Sequence, residues 1–314
     1  MSLFTLLVAC TMALASPEKH TEPVHEVKVE RDVSYATVKG YYTHAPVGDK
    51  QSTVRLLFHS GIPKPVTLEM DIYRPSDDGN EPRPLLLMMH GGSFFIGHKT
   101  EPGQAGWCEY FASLGYVAVS IDYRLGFHAT KKEIRQAEYR ALEDADTALE
   151  YLFGREDLHI DKDRVFLAGT SAGAMTALNL AFRLYGNGPM KEVRPRLHRE
   201  DFRIRAVANL WGSVHDLSVL ENASVPILSF QSVADPVMPY DGGYPLGFAG
   251  KLLSDKMYGT HAIYGKAVSI GLRAEHHPCE EARHRLHLDD DLQYTSRFYE
   301  IRDAMVRFFA GEME

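Results

Sequence analysis

Short, continuous apolar runs alternate with amphipathic stretches through the middle of the chain. The apolar runs cover residues 84–89, 116–121, 164–168, 204–210 and 226–230. Runs of this length are typical of strands that are buried on both faces of a sheet. The amphipathic stretches, near 103–114, 131–153, 172–185 and 247–265, predict helices. Strands that alternate with helices predict an α/β fold, with a mainly parallel sheet covered by helices on both faces.

The two ends of the folded region extend this pattern. Residues 27–33 alternate between apolar and polar, and two further strands are predicted over 54–59 and 66–73. Residues 273–279 predict the last strand, and 294–309 predict a terminal amphipathic helix. Since we find no internal repeat and no interdomain linker, residues 26–314 are predicted to form a single domain around about eight strands.

The first residues of the chain are apolar and precede a polar stretch. The apolar run from Leu3 to about Leu14 is followed by the small-x-small pattern 13–15, which predicts a signal peptide over 1–15 and a flexible lead-in over 16–25. The run is too short to span a membrane, so we expect an exported protein, secreted or periplasmic. Residues 7–10 also resemble a lipoprotein signal, which leaves a lipid tether at Cys10 as one alternative and a buried N-terminal element as another.

Composition and charge exclude several classes of partner. The 314 residues are 45% hydrophobic and 24% charged, as in soluble globular proteins. A net charge of -8 argues against binding to nucleic acid or to an anionic membrane, because both require a basic face. The three cysteines lack the spacing of a metal site. The sequence leaves a disulfide between Cys108 and Cys279 as one alternative.

The strongest chemical signal is the Gly-Thr-Ser-Ala-Gly sequence of residues 169–173. It follows an apolar strand and precedes a helix, the context in which a G-x-S-x-G turn exposes a nucleophilic serine at the carboxyl edge of a sheet. Small residues must flank the serine because the turn is tight. This places Ser171 as the candidate nucleophile, whereas a turn that merely contains a serine is the structural alternative.

A second signal, His-Gly-Gly-Ser-Phe over residues 90–94, directly follows another buried strand. A tetrahedral oxyanion needs preorganised N–H donors, and glycines allow the backbone to approach the substrate. We therefore predict an oxyanion hole made by the amides of Gly91, Gly92 and Ala172, the last being the residue after the nucleophile. A strand-terminating turn with a structural histidine is the alternative.

A serine nucleophile needs a base and an acid that orients the base. Asp235 lies in the loop just after the strand 226–230 and is the candidate acid, with Asp216 as the alternative. His284 lies in the loop after the last predicted strand and is the candidate base. The remaining alternatives for the base are the neighbouring histidines His276, His277 and His287.

Together these segments resemble the esterase/lipase branch of the α/β-hydrolases, which includes hormone-sensitive-lipase-like and bacterial carboxylesterases. The matching segments are 90–94, 122–125, 169–173 and 235–239, and they span most of the chain. The resemblance implies an α/β-hydrolase fold, an acyl-enzyme mechanism without metal or organic cofactor, and a supporting role for Asp122 and Tyr123. Many relatives have a third glycine where this chain has Ser93, and a glycine before the histidine where it has Arg283.

The expected activity is hydrolysis of small-molecule esters with small acyl groups or carbohydrate moieties. Aromatic residues are candidates to line the pocket, namely Phe94, Phe95, Tyr123, Trp211 and those of the insertion 241–248. Two alternatives are a peptidase or amidase that uses the same three residues, and a catalytically impaired binding protein.

Overall fold

The computed structural model describes residues 20–46, 61–77, 79–185, 201–247 and 249–313. Its strands are β1 (Val27–Gly40), β2 (Lys64–Pro75), β3 (Arg83–Met89), β4 (Val117–Ile121), β5 (Ile160–Thr170), β6 (Ile204–Leu210), β7 (Ile227–Ser232), β8 (Gly242–Gly243), β9 (Met257–Tyr258) and β10 (Ala274–Cys279). Eight of them form one sheet in the order β1-β2-β4-β3-β5-β6-β7-β10. The pairs β1–β2 and β2–β4 are antiparallel and the other pairs of this sheet are parallel, so the carboxyl ends of β3 to β7 and β10 lie at one edge.

Helices cover both faces of this sheet. They are α1 (Pro102–Ser113), α2 (Lys131–Phe153), α3 (Ala172–Tyr185), α4 (Thr260–Ser269) and α5 (Ser296–Ala310). Side chains of β3 alternate between the two faces: Leu85 and Leu87 pack in the cluster with α2 and α3, and Leu86 and Met88 in the cluster with α1 and α5. Burial on both faces explains why the strand is a continuous apolar run instead of an alternating one. The predicted fold class is confirmed.

The helix predicted over 247–265 is wrong. In the structure a 3-10 turn covers Ala249–Leu252, β9 then pairs with β8, and α4 begins only at Thr260. A Cβ at Gly259 would lie 1.8 Å from the carbonyl oxygen of Pro239. The strand pairing and this close backbone approach therefore keep the segment out of a helix until residue 260.

At the N-terminus, residues 20–25 lie against the end of α1. The amides of Val24 and His25 donate to the carbonyl of Ser113, at 2.9 and 3.0 Å, and His20 Nδ1 donates to the carbonyl of Leu114 at 2.8 Å. The predicted signal peptide, Cys10, residues 16–19 and the predicted strand 54–59 lie outside the described residues. The single domain over 26–314 stays a prediction.

The two cysteines of the folded region are separate. Cys108 and Cys279 are both buried free thiols, so the disulfide that the sequence left open does not form. Among the helices of the described ranges, none is long and apolar enough to cross a bilayer.

Candidate active site

Ser171 lies at the sharp turn between β5 and α3. Its φ is +50°, a left-handed conformation that costs a residue other than glycine about 1–3 kcal/mol and is common where strain serves a site. A Cβ at Gly169 would lie 2.3 Å from the carbonyl carbon of Gly173, and one at Gly173 would lie 2.1 Å from the carbonyl oxygen of Met89. Both positions of the motif therefore require glycine, because neighbouring backbone atoms occupy the space that a side chain would need.

Three predicted residues from distant parts of the chain meet at this turn. Ser171 Oγ lies 2.9 Å from His284 Nε2. His284 Nδ1 lies 2.8 Å from Asp235 Oδ2 and 3.0 Å from Oδ1. A carboxylate accepts hydrogen bonds, so we assign the imidazole proton to Nδ1. Nε2 then presents its lone pair to the serine hydroxyl, which is the arrangement that a general base requires.

The carboxylate of Asp235 is enclosed by donors. Its side chain is 0% exposed. Oδ1 accepts from the amides of Val237 and Met238, at 2.8 and 3.0 Å, and Oδ2 accepts from Gln231 Nε2 at 3.2 Å. These bonds, together with that from His284, hold both oxygens in place.

The loop that carries His284 connects β10 to α5 and is held by contacts between its own residues. Thr295 Oγ1 donates to the carbonyl of Leu286 at 2.6 Å, and Thr295 N donates to the carbonyl of His287 at 3.1 Å. Arg283, which stands where many relatives have glycine, forms an ion pair with Asp290 at 2.7 Å. The His284 side chain stays 19% exposed, so a substrate has access to it.

Behind His284, the ring of His287 lies between two tryptophans. Its centroid is 5.0 Å from that of Trp107 and 5.2 Å from that of Trp211, both in stacked orientation. Burial lowers the pKa of His287 to about 3. This histidine is therefore neutral at physiological pH and acts as an aromatic packing residue beneath the loop.

The other residues that the sequence left open lie elsewhere. Asp216 caps a short 3-10 helix, where its carboxylate accepts from the amide of Ser218 at 2.9 Å. His276 Nε2 lies 3.1 Å from Thr260 Oγ1, and the ring of His277 stacks on Phe230 at 4.3 Å. The hydrogen bond to Ser171 comes from His284.

The segment proposed for the oxyanion hole runs beside Ser171. A Cβ at Gly91 would lie 3.3 Å from that of Ser171, so its backbone is adjacent to the nucleophile. Gly92 has a φ of +106°, and Ser93 has a φ of +54°, the left-handed conformation that glycine adopts most easily. Ala172 is the first residue of α3, where the N–H has no partner within the helix. The three amides lie near the turn, and their role as oxyanion donors stays a prediction.

Two aromatic rings support this segment from beneath. His90 stacks on Tyr123 with centroids 4.2 Å apart, and the Tyr123 hydroxyl donates to the carbonyl of His90 at 2.7 Å. Burial lowers the pKa of His90 to about 3, so its neutral ring donates from Nδ1 to the carbonyl of Gly91 at 2.7 Å. Both bonds fix the carbonyl oxygens of residues 90 and 91 in position.

Asp122 anchors the same region from the end of β4. Its carboxylate accepts from the amide of Lys99 at 2.7 Å, and burial raises its pKa to about 7. Tyr35 donates its hydroxyl to the carbonyl of Asp122 at 2.6 Å. Asp122 thus ties β4 to the segment after residue 97.

An apolar cluster adjoins the nucleophile on the α3 side. Ala172 and Met175 pack with Phe94, Phe95, Tyr123, Phe127, Met238 and Met257, all of them buried. Of the aromatics expected in a pocket, Phe94, Phe95 and Tyr123 belong to this cluster. Trp211 instead packs in the cluster with α1 and α5, next to His287.

Gln231 is the site residue that the sequence reasoning missed. It is fully buried at the end of β7 and contacts Asp235. The available signal was a polar residue at the end of an apolar strand, just before the acid loop. No group of three or more His, Cys, Asp or Glu suited to a metal ion occurs within the described ranges.

Comparisons with known proteins agree with the fold and with the sequence resemblance. The BD-FAE family profile matches residues 70–238, more than half of the chain. Esterase B from Lactobacillus rhamnosis has a similar structure, with a TM-score of 0.60 and 16% identity over 94% of this chain and 89% of that one. The apo form of Thermogutta terrifontis esterase 2 has a TM-score of 0.59 and 19% identity over 92% and 95%. At these identities the structural likeness concerns the fold alone.

Curated relatives match a shorter part of the chain. Probable carboxylesterase 2 of Arabidopsis thaliana is 35% identical over 128 residues, which is 37% of this chain and 37% of the relative. Gut esterase 1 of Caenorhabditis elegans is 30% identical over 122 residues, 38% of this chain and 21% of the relative. Non-reducing polyketide synthase pkbA of Emericella nidulans is 34% identical over 129 residues, 39% of this chain but only 5% of the synthase. The chain thus spans well under half the length of each of these relatives. Together with the family match, the comparisons confirm the α/β-hydrolase resemblance.

Proposed function

The chain belongs to the BD-FAE family, and we propose that it is a serine carboxylesterase that works through an acyl-enzyme. The observation that carries this proposal is the unbroken chain of hydrogen bonds from Asp235 through His284 to Ser171. Each member has a distinct role that fits its surroundings. The serine is strained and accessible to the base, the histidine is partly exposed, and the aspartate is buried.

The reaction follows from these positions. His284 Nε2 takes the hydroxyl proton as Ser171 Oγ attacks the ester carbonyl carbon. The C–O bond to the alcohol then breaks, and the proton passes from His284 to the leaving alcohol. Water next attacks the acyl-enzyme and gives a proton to His284, which returns it to Ser171 Oγ as the acid product leaves. The amides of Gly91, Gly92 and Ala172 stabilise the oxyanion in both steps.

We further propose small acyl groups and carbohydrate esters as substrates. The apolar cluster around Ala172 and Met175 is closely packed, which favours a short acyl chain over a long one. On the side of the acid loop, Tyr240 and Tyr244 are partly exposed. Tyrosine offers an apolar ring face and a polar hydroxyl, a combination suited to a sugar.

A substrate series with p-nitrophenyl esters tests the proposal. We expect the wild type to hydrolyse acetate and butyrate faster than octanoate, and to deacetylate an acetylated methyl glycoside. Ser171→Ala should be inactive on all of them. Faster cleavage of p-nitroacetanilide than of the acetate ester would contradict the esterase assignment and favour an amidase.

Covalent labelling tests the nucleophile independently of the substrate. The related Thermogutta terrifontis esterase 2 has been observed phosphorylated by paraoxon, at 19% identity and a TM-score of 0.58. We expect paraoxon and a fluorophosphonate probe to add to the Ser171 peptide in the wild type and not in Ser171→Ala. A wild type that neither hydrolyses esters nor reacts with either probe would refute the proposed function.

We also propose that the protein is exported, secreted or periplasmic, on the basis of the apolar run and the 13–15 cleavage pattern. N-terminal sequencing of protein from its native source should begin at Ser16. An acyl chain on Cys10 in mass spectrometry would instead identify a lipoprotein. An intact Met1 would contradict export.

A further inference from the structure

The side-chain amide of Gln231 lies at the centre of a hydrogen-bond network beside the acid loop. Its Nε2 lies 3.2 Å from Asp235 Oδ2, 3.2 Å from the carbonyl of Met238 and 3.3 Å from the carbonyl of Pro239. Its Oε1 accepts from the amide of Thr260 at 3.1 Å and from the Thr260 hydroxyl at 2.8 Å. The residue is fully buried, so both ends of the amide depend on these partners.

The orientation of this amide follows from the chemistry of its neighbours. A backbone N–H can only donate, so the end of Gln231 that faces Thr260 N must be the carbonyl oxygen. The NH₂ group therefore points at Asp235 Oδ2 and at the two loop carbonyls. Each of these three is an acceptor, so no other orientation satisfies the network.

We propose that Gln231 is a positioning residue for the catalytic acid, which fixes Asp235 by holding its carboxylate and its loop to β7 and α4 at the same time. The inference rests on the proposed function. Asp235 lies three residues beyond the end of β7, where the chain has left the sheet and its amide donates to the carbonyl of Ser232 at 3.3 Å in a turn. Gln231 supplies a second donor to Oδ2 beside His284, while the loop amides of Val237 and Met238 donate to Oδ1.

The network continues past Thr260 to a second histidine. The Thr260 hydroxyl uses its proton on Gln231, so it must accept from His276 Nε2, 3.1 Å away. This assigns the proton of His276 to Nε2. Partial burial lowers the pKa of His276 to about 4, so the ring keeps this neutral form over the working range of an esterase. His276 thus supports Thr260, and through it Gln231, without contacting the nucleophile.

An isosteric charge change separates positioning from packing. Gln231→Glu keeps the oxygen that accepts from Thr260 and places a second oxygen beside Asp235 and the two carbonyls. While protonated, that carboxyl donates to one acceptor, and once ionised it repels Asp235. His284 is the ionisable group in contact with Asp235, and His276 is linked only through Thr260.

We therefore expect the ratio of wild-type to Gln231→Glu kcat/KM to rise with pH, from about 10-fold at pH 5.5 to about 100-fold or more at pH 8.5. The low-field proton resonance of His284 Nδ1–H should shift or broaden over the same range. A ratio that is constant with pH, measured well below the unfolding temperature at each pH, would overturn the proposal.

Gln231→Met removes the hydrogen bonds and keeps a similar volume. We expect kcat to fall about 10- to 100-fold while KM changes less than about twofold, because substrate does not contact the residue. Ser229→Ala is the matched control, since Ser229 is a buried polar residue two positions earlier on β7 that contacts Asn209 instead. We expect wild-type kinetics from this control.

The outcomes distinguish the two levels of the argument. If the wild type is inactive and unlabelled by fluorophosphonate, the proposed function fails. If the wild type is active and a folded Gln231→Met keeps kcat within about twofold, only the role of Gln231 is refuted. Should Gln231→Met fail to fold, the pH ratio of Gln231→Glu decides the question by itself.

Discussion

The proposed nucleophile and its proposed base are held in place in two different ways. Ser171 and Gly91 lie within two residues of a central strand end, and backbone contacts fix them. Asp235 and His284 lie three and five residues beyond the ends of β7 and β10, in loops fixed by side-chain contacts, among them those of Gln231, which also binds Thr260, and of Thr295. One half of the site is therefore a property of local sequence, and the other half is a property of the assembled fold.

The difference has an energetic side. On the nucleophile side, strain at Ser171, Ser93 and Phe94, all at positive φ, is balanced by packing of the central sheet. On the base side, partly buried polar contacts such as Thr295 to Leu286 and Gln231 to Asp235 hold the geometry. We therefore expect changes to the backbone around Ser171 to lower the stability of the fold. Changes to side chains in the loops of Asp235 and His284 should lower activity while the protein stays folded.

The largest effect is expected from the nucleophile. Ser171→Ala should lower kcat about 10⁶-fold, because the residual activity then comes only from binding and the oxyanion hole. The unfolding free energy should stay the same or rise slightly, since alanine leaves no polar hydroxyl in the turn. Esterase kinetics and denaturant unfolding measure the two quantities.

The matched control for this change is Ser269→Ala, at the exposed end of α4. It should keep full activity. Retention of more than about 1% of wild-type activity by Ser171→Ala would mean that another residue is the nucleophile.

The next largest effect tests the base side. His284→Ala should lower kcat about 10⁴- to 10⁶-fold, because the serine loses its proton acceptor. Unlike a backbone change, it should leave the fold intact, since the ring is partly exposed and the loop is held by Thr295. Kinetics and circular dichroism check both statements.

His277→Ala is the control for the base, because this histidine lies in β10 and stacks on Phe230, away from Ser171. We expect only a small loss of stability from it. If His277→Ala lost as much activity as His284→Ala while remaining folded, the assignment of the base would be wrong.

The same contrast explains what could be predicted from the sequence. Ser171, Gly91 and Gly92 could be placed because each belongs to a short motif that begins directly after an apolar strand, so local pattern and geometry coincide. Asp235 and His284 could be assigned only from their places in loops after predicted strands, which left Asp216 and three other histidines as alternatives. Gln231 was missed because its role depends on Thr260, 29 residues later, and no local pattern encodes that contact.

The failure over 247–265 has a similar origin. Its composition favours a helix, but pairing of β9 with β8 and the approach of Gly259 to Pro239 are tertiary effects that override local propensity. This segment follows the loop of Asp235 along the chain, so the error lies on the base side of the site.

A change to the backbone of the nucleophile turn should lower the stability of the fold. Gly169→Ala would place a Cβ 2.3 Å from the carbonyl carbon of Gly173, a contact that no side-chain rotation relieves. We expect a loss of about 3 kcal/mol or more in unfolding free energy. Gly265→Ala is the control, since a Cβ there meets nothing within 4 Å in α4 and alanine favours helix. Equal stability of the two variants would refute the idea that backbone contact fixes the nucleophile turn.

The smallest effect concerns the packing under the base loop. His287 has a pKa of about 3 in the fold and about 6.5 when unfolded, so below pH 6.5 the unfolded chain binds the extra proton and stability falls as pH falls. His287→Phe keeps the stack between Trp107 and Trp211 and loses no hydrogen bond, since neither ring nitrogen has a partner among the described residues. Between pH 7 and pH 5 the wild type should therefore lose about 2 kcal/mol more unfolding free energy than this variant in denaturant titrations.

The control is His159→Asn, at a partly exposed left-handed position, which should follow the wild-type curve. Parallel pH curves for wild type and His287→Phe would mean that the buried ring takes up its proton without disturbing the loop.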